Sequence, residues 1–338
     1  MQNFNNQTHS FDDVLLVPQH SDILSREEVN IGSELGNERY GLPIISSPMD
    51  TVTGEKMADV FSRHSALAVT HRYCTPEEQA KITPHSAAAA VGVTGDFVER
   101  IHILNSEKGI RTFCLDVAHG HHMLVERALK KIRDKYGDTV SIIAGNVATA
   151  KGYADLSEWG ADAVRVGIGG GSICSTRIQT GHGVPTFQSV YNCANQYDGA
   201  KIIADGGIKT SGDIVKALAA GADFVMLGSM LAGTEESPGQ TFQDNDGKKY
   251  KVYRGMASVE AQVDWRGKAR SLEGISTTIP YKGSVSDILA NISQNIKSGL
   301  SYSGARNIAE LQARSRFIVQ SAASQVESST HILNRSVK

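Results

Sequence analysis

Eight short apolar runs, nearly all ending in glycine or polar residues, constrain this chain more than any other feature of its sequence. They occupy 44–47, 66–70, 87–93, 112–117, 141–145, 163–167, 201–204 and 224–227. None alternates apolar with polar residues, so each reads as a strand buried on both faces, the pattern of a parallel sheet. Amphipathic stretches lie between them. Met57, Val60 and Phe61 share a face in 54–63, as do Leu124, Ala128, Leu129 and Ile132 in 123–136. Ile214, Val215 and Leu218 do so in 211–220, with Gly221 as the expected C-cap. Strand, loop and helix repeated eight times predicts an α/β chain, a (β/α)8 TIM barrel, whose typical size is ~250 residues. An open doubly wound sheet is the alternative. The barrel is favoured because the reactive residues follow the strands, in SSPMD, HRYC, DVAHGHH, GNVAT, GIGGGSICSTR, DGGI and GSML. A barrel gathers the loops at the carboxyl ends of its strands into one site.

The 338 residues suit one such barrel with flanking segments, a single catalytic domain over 1–338. Barrel and flanks take up about 10–315; the polar stretch 233–254 reads as a hairpin after strand eight, 281–311 as helical, and 321–338 as a fraying tail. Apolar residues at 40% can build a core, and this excludes global disorder. Lys and Arg number 34 against 36 Asp and Glu, so no basic surplus exists to follow a nucleic-acid backbone. Small phosphorylated ligands fit, because local amides can bind one phosphate. Four cysteines without paired spacing give no disulfide framework. No apolar run approaches the roughly 18 residues that span a bilayer, and the polar start of the chain carries no signal core. The expected setting is the reducing cytoplasm, with no membrane and no nucleic acid as partner.

The segment 167–177, GIGGGSICSTR, is the most informative. Its glycines permit backbone angles closed to other residues and turn amides or carbonyls inward. A cysteine there, Cys174, is a candidate nucleophile. Cys114 and Cys193 sit in apolar settings and read as small buried hydrophobes. Asp205, Gly206 and Gly207 end strand seven, and Gly228 and Ser229 end strand eight; loops after these strands often hold a phosphate. Asp116 ends strand four and reads as a polar contact to a cofactor. His119, His121 and His122 lack ligand spacing for one metal. Glu273 alone is an ordinary surface carboxylate.

These residues sit inside longer matches. Phe11–Leu16 (FDDVLL), Ser46–Thr53 (SSPMDTVT), 167–177, 203–207, 222–239 (ADFVMLGSMLAGTEESPG) and Tyr253–Met256 (YRGM) resemble the IMP dehydrogenase/GMP reductase family over about 10–315. The resemblance implies a (β/α)8 barrel, a purine nucleotide partner and hydride exchange at purine C2 with a nicotinamide, through a covalent adduct on Cys174. It implies proton handling by Thr176 and Glu273. Nucleotide contacts would come from Ser47, Met49, Ser172, Asp205, Gly206, Gly207, Gly228, Ser229, Gly255, Met256, Ala257, Arg270, Ser271 and Gly274. Cofactor contacts would come from Arg72, Asp116, Val117, Ala118, Ile168, Gly169, Met256, Ser301, Tyr302 and Gly304. Ser25 and Arg26 match a contact to a neighbouring subunit's cofactor, which implies a homotetramer. Gly169, Gly171, Cys174 and Arg177 match a monovalent-cation site, K+ in the family.

Three features favour the reductase branch, which uses NADPH to convert GMP to IMP and ammonia. Strand two runs directly into Thr75-Pro76-Glu77-Glu78, leaving no room for the CBS modules many dehydrogenases insert. Only the 16 residues 257–272 separate Met256 from Glu273, and no Arg-Tyr pair of a water-activating flap occurs. The segment 270–274, RSLEG, matches the reductase pattern. SSPM, YRGM and AHGH look more like the dehydrogenase, which oxidises IMP to XMP with NAD and is the alternative. The family's usual proline in the cysteine loop is Gly170 here, and Ser175 replaces a common Thr.

Overall fold

The computed structural model describes residues 7–269 and 273–328. Eight parallel strands close into a barrel: β1 (Ile44–Ser46), β2 (Leu67–Thr70), β3 (Ala88–Val91), β4 (Thr112–Asp116), β5 (Ser141–Val147), β6 (Ala163–Val166), β7 (Lys201–Asp205) and β8 (Phe224–Leu227). They pair in chain order, and β8 closes on β1 through Val225–Ile44, Met226–Ile45 and Leu227–Ser46. This excludes the open doubly wound sheet. Helices α1 (Glu55–Arg63), α2 (Pro76–Ile82), α3 (Phe97–Lys108), α4 (Met123–Tyr136) and α5 (Ala150–Glu158) follow the first five strands. After β6 come α6 (Thr176–Thr180) and α7 (Thr186–Gln196), and α8 (Ser211–Ala219) follows β7.

Each strand's unbroken apolar run has a physical reason. Ile45, Leu67, Val69, Ala88, Ala90, Cys114, Ile143, Ala163, Ile203, Phe224 and Met226 fill the barrel's interior. Their alternates, among them Ala68, Ala89, Phe113, Ile142, Val164 and Val225, pack against the helices. Both faces are dry, so period-two alternation disappears. The hairpin of strands Ser33–Leu35 and Glu38–Tyr40 adds Leu35 to the interior cluster, and Tyr40 packs edge-on to Phe224.

Local signals set the helix ends. Thr75 caps α2 by accepting from Glu78 N, and the Glu78 carboxylate returns to Thr75 N. Thr210 and Asp213 do the same for α8. That helix is capped by Ala220 rather than Gly221, which lies one residue beyond at φ +113. The expected hairpin forms between Thr241–Gln243 and Lys249–Arg254. A third strand, Ser276–Pro280, joins it antiparallel and was not expected. Its polar, half-exposed sequence STTIP carries little strand signal. Helices α9 (Val259–Arg266), α10 (Val285–Tyr302) and α11 (Ile308–Arg314) complete the chain's helical returns.

Near the ends of the chain, Val14–Leu16 pairs antiparallel with Phe317–Val319. The polar tail does not simply fray: Ala322–Glu327 is helical, capped by Ser321, and Gln325 donates to Asp13 at 2.9 Å. Residues 329–338 lie outside the described residues. Among the described residues no helix is long and apolar enough to cross a membrane.

Candidate active site

A cavity of about 400 Å³ opens at the carboxyl ends of the strands. Cys174 reaches it from the loop between β6 and α6, and is half-buried. Its thiol donates to Thr176 Oγ1 at 3.1 Å, and that hydroxyl donates to Glu273 Oε2 at 2.9 Å. The three groups form one proton path from sulfur to carboxylate. Glu273 comes from a strip far along the chain, yet the strip is stitched to the cysteine loop. Ser175 N donates to Glu273 O at 2.9 Å, Ile275 N donates to Ile173 O at 3.2 Å, and Cys174 bridges to Gly274. Gly255 N donates to Ile275 O, which draws the Gly255–Ala257 turn to the same place.

The cavity floor is a charged network. Arg165, in mid-β6, is 7% exposed and donates to Asp116 Oδ1 at 2.6 Å and to Asp205 Oδ2 at 2.9 Å. Burial alone would favour its neutral form, but the carboxylates of Asp205 and Asp116 outweigh this and raise its pKa further. Asn146 donates to both Asp205 Oδ2 and Gly167 O at 2.8 Å. Arg72 Nη2 donates to Asp116 O at 3.1 Å, while its Nε, 3.7 Å from Asp116 Oδ2, is buried without a hydrogen-bond partner. The Arg72 guanidinium also lies over Tyr73 and Trp265.

Two glycine loops shape one end of the cavity. Gly206 (φ +91) and Gly207 (φ +76) follow β7 in the left-handed region. At Gly228, Ser47 Oγ, Tyr253 Oη and Met49 Sδ converge on one spot. Burial pushes the Tyr253 phenol up, and its hydroxyl lies 3.5 Å from Ser172 Oγ. Arg254 clamps Asp50 and Asp264, and Asp50 N donates to Met256 Sδ, so the turn after Tyr253 is tied to the loop after β1.

The structure thus gathers Cys174, Thr176, Glu273, Ser47, Met49, Ser172, Asp205, Gly206, Gly207, Gly228, Ser229, Gly255, Met256, Ala257 and Gly274 around one cavity. Arg72, Asp116, Val117, Ala118, Ile168, Gly169 and Gly171 line it as well. Arg270 and Ser271 lie outside the described residues. Arg177 does not line the cavity; its stem packs against Gly169 and Gly183 and its Nη2 donates to Val184 O at 3.0 Å. Ser25, Arg26, Ser301, Tyr302 and Gly304 are not at the cavity either. They belong to a flank where the 3₁₀ turn Arg26–Glu28 packs on α10 and Gln19 N donates to Tyr302 O. Tyr302 there is 65% exposed.

Two of the three histidines after β4 have structural partners, and His119 stands edge-on to His121. His121 contacts Asp155 at 2.7 Å and His122 caps α4. Among the described residues no three His, Cys, Asp or Glu side chains are placed to hold a metal.

A family model described as IMP dehydrogenase / GMP reductase domain matches residues 8–331. The chain belongs to this family. Its members are oxidoreductases, and membership implies a nicotinamide cofactor. Relatives carry both names. An inosine-5'-monophosphate dehydrogenase of Nitrosopumilus maritimus is 32% identical, over 95% of this chain and 98% of its own length. GMP reductase 2 of Bos taurus is 39% identical, over 91% of this chain and 93% of its own. A GMP reductase from Trypanosoma brucei, solved in complex with guanosine 5'-monophosphate, superposes with a TM-score of 0.91 at 28% identity, covering 97% of this chain and 98% of its own.

Sequence reasoning missed Arg165, Asn146, Tyr73 and Tyr253, which line the cavity. Arg165 did carry a signal: a guanidinium inside the run AVRV must find carboxylates once buried. Tyr73 and Asn146 lay in the strand-end segments HRYC and GNVAT, and Tyr253 in YRGM, but nothing in those segments marked these residues out from their polar neighbours.

Proposed function

We propose that this chain is a GMP reductase, which releases the C2 amino group of GMP as ammonia and places a hydride from NADPH at C2 to give IMP. The observation that carries this reading is the Cys174–Thr176–Glu273 path. Through Thr176 the thiol proton passes to Glu273, and the thiolate attacks C2. Glu273 then returns the proton to the departing amine, the C2–N bond breaks, and a sulfur-linked purine (a thioimidate) remains on Cys174. Hydride addition at C2 and cleavage of the C–S bond release IMP and regenerate the thiolate. Asp205 with Gly206, Gly207, Gly228 and Ser229 holds ribose and phosphate, the phosphate on backbone amides. The Gly255–Ala257 turn and Gly274 hold the purine, and the family resemblance assigns Arg270 and Ser271, outside the described residues, to the same task.

The nicotinamide supplies the hydride. Arg72, Asp116, Val117, Ala118, Ile168 and Gly169 would seat it, and the buried Arg72 Nε, which makes no hydrogen bond, offers a donor to an incoming polar group. Carbonyls of Gly169, Gly171 and Cys174, beside Arg177, suit a hard monovalent cation such as K+. Ser25, Arg26, Ser301, Tyr302 and Gly304, gathered on an exposed flank, fit a contact to a neighbouring subunit's cofactor in a homotetramer, and the setting we infer is cytoplasmic.

The dehydrogenase reading, IMP to XMP with NAD, draws on Arg254, which completes a dehydrogenase-like YRGM and holds the purine turn through Asp50. One assay separates the two. Purified protein is given GMP with NADPH, or IMP with NAD, in K+ or Na+ buffer. Loss of NADPH absorbance with ammonia release, faster in K+ and abolished in Cys174→Ala, is expected. Turnover of IMP with NAD alone would overturn the reductase assignment.

A further inference from the structure

We propose that Thr186 is a positioning residue for the reaction, a single buried hydroxyl against which the cysteine loop and the nucleotide loop are both registered. The proposal rests on the reading of Cys174 as nucleophile.

Thr186 opens α7 and is 3% exposed, yet its Oγ1 is buried with no hydrogen-bond partner. It does not line the cavity, so it acts through the loops rather than on the ligand. Three glycines of those loops crowd this one oxygen. A Cβ at Gly170 would lie 2.6 Å from it, one at Gly167 3.3 Å and one at Gly207 3.6 Å. Gly167 is held to glycine also by its φ of +147 and Gly207 by its φ of +76. Gly170 has no such torsion. The first atom a side chain at 170 would meet is Thr186 Oγ1, ahead of Gly206 C at 3.3 Å and Gly207 N at 3.4 Å. The threonine side chain thus takes up part of the volume that a residue larger than glycine at 170 would need.

The position of the hydroxyl gives it a second consequence. The same point above Gly170 is 3.3 Å from Gly206 C and 3.4 Å from Gly207 N, so the two loops meet at Thr186. A buried hydroxyl left unpaired is costly, and such a donor is satisfied when a nearby carbonyl shifts toward it. The inferred step is that a phosphate taken up by the Gly206–Gly207 turn brings a backbone carbonyl of these loops within reach of this oxygen. Thr186 thus donates in the liganded arrangement and favours that arrangement over the resting one.

Five variants of the full-length protein test this. Thr186→Val keeps the shape and removes the hydroxyl; Thr186→Ser keeps the hydroxyl; Gly170→Ala introduces the clash; Thr186→Ala removes the obstructing side chain; and Gly170→Ala with Thr186→Ala relieves the clash and closes the cycle. Thr186→Val is expected to melt no lower than wild type. It should lose about tenfold in kcat/KM for GMP, the worth of one hydrogen bond. It should also lose most of the GMP protection of Cys174 against iodoacetamide, and Thr186→Ser should restore both. Gly170→Ala should slow turnover, and the double variant should recover beyond the sum of the single effects. A Thr186→Val protein with wild-type kcat/KM and wild-type protection would overturn the proposal, as would additive effects at 170 and 186. If wild type fails to reduce GMP, the reductase assignment fails, and nucleotide-dependent Cys174 alkylation still decides the role of Thr186.

Discussion

The four cysteines of this chain differ through their surroundings. Burial pushes the Cys114 and Cys74 thiols up to about 11 and Cys193 up to about 12, so all three stay protonated at neutral pH. Cys174 instead sits in a glycine loop with a hydroxyl and a carboxylate in line behind it. Glu273→Gln removes the end of that line without changing its shape. It should lower kcat by 10²–10⁴, the usual weight of general acid–base catalysis, and leave the melting shift caused by GMP intact. An unchanged kcat would remove Glu273 from the proton path. Cys174 was legible because a cysteine among four glycines has few structural uses. The weight of Glu273 was legible only through resemblance, since the strip that seats it depends on backbone bonds between residues a hundred positions apart.

At the scale of elements, the strand ends carry the constraint. A Cβ at Gly167 would stand 1.9 Å from Asp205 O, where the β6 loop crosses the end of β7. Gly95 also has a positive φ, +69, but nothing lies within 4 Å of its Cβ position. Gly95→Ala should therefore cost only about 1 kcal/mol from torsion. Gly167→Ala adds a backbone collision and should cost at least twice that in chemical denaturation, with loss of turnover. Equal costs would mean that torsion alone sets both. All eight strands could be read from sequence because burial on two faces leaves an unbroken apolar signature. The third strand of the outer hairpin could not, because its residues face solvent and only pairing with Lys249–Arg254 orders them.

For the whole molecule, acid stability gives a global readout. His71, just after β2, is half-buried and its pKa is lowered, first by desolvation, with Arg100 and Arg254 adding and Asp50 opposing. Its Nδ1 has no hydrogen-bond partner. A histidine whose folded pKa lies below its unfolded value of 6.5 binds its proton more readily when unfolded. Its contribution to stability is thus complete above that value and falls as pH drops through it toward the folded pKa. Urea midpoints between pH 8 and pH 5 should fall across this window, and His71→Asn should flatten the slope; a slope unchanged in the variant would assign the loss elsewhere.

The strip around Glu273 has one more consequence. Its backbone is laced to the loop that carries the sulfur, not only to the hairpin from which it descends. The Cys174–Glu273 spacing is therefore set by short backbone bonds between the strip and the loop, independently of the pairing that orders the outer sheet. On the reading of Cys174 as nucleophile and Glu273 as its acid, a substitution that loosens the outer sheet should disturb their alignment less than one that breaks those bonds.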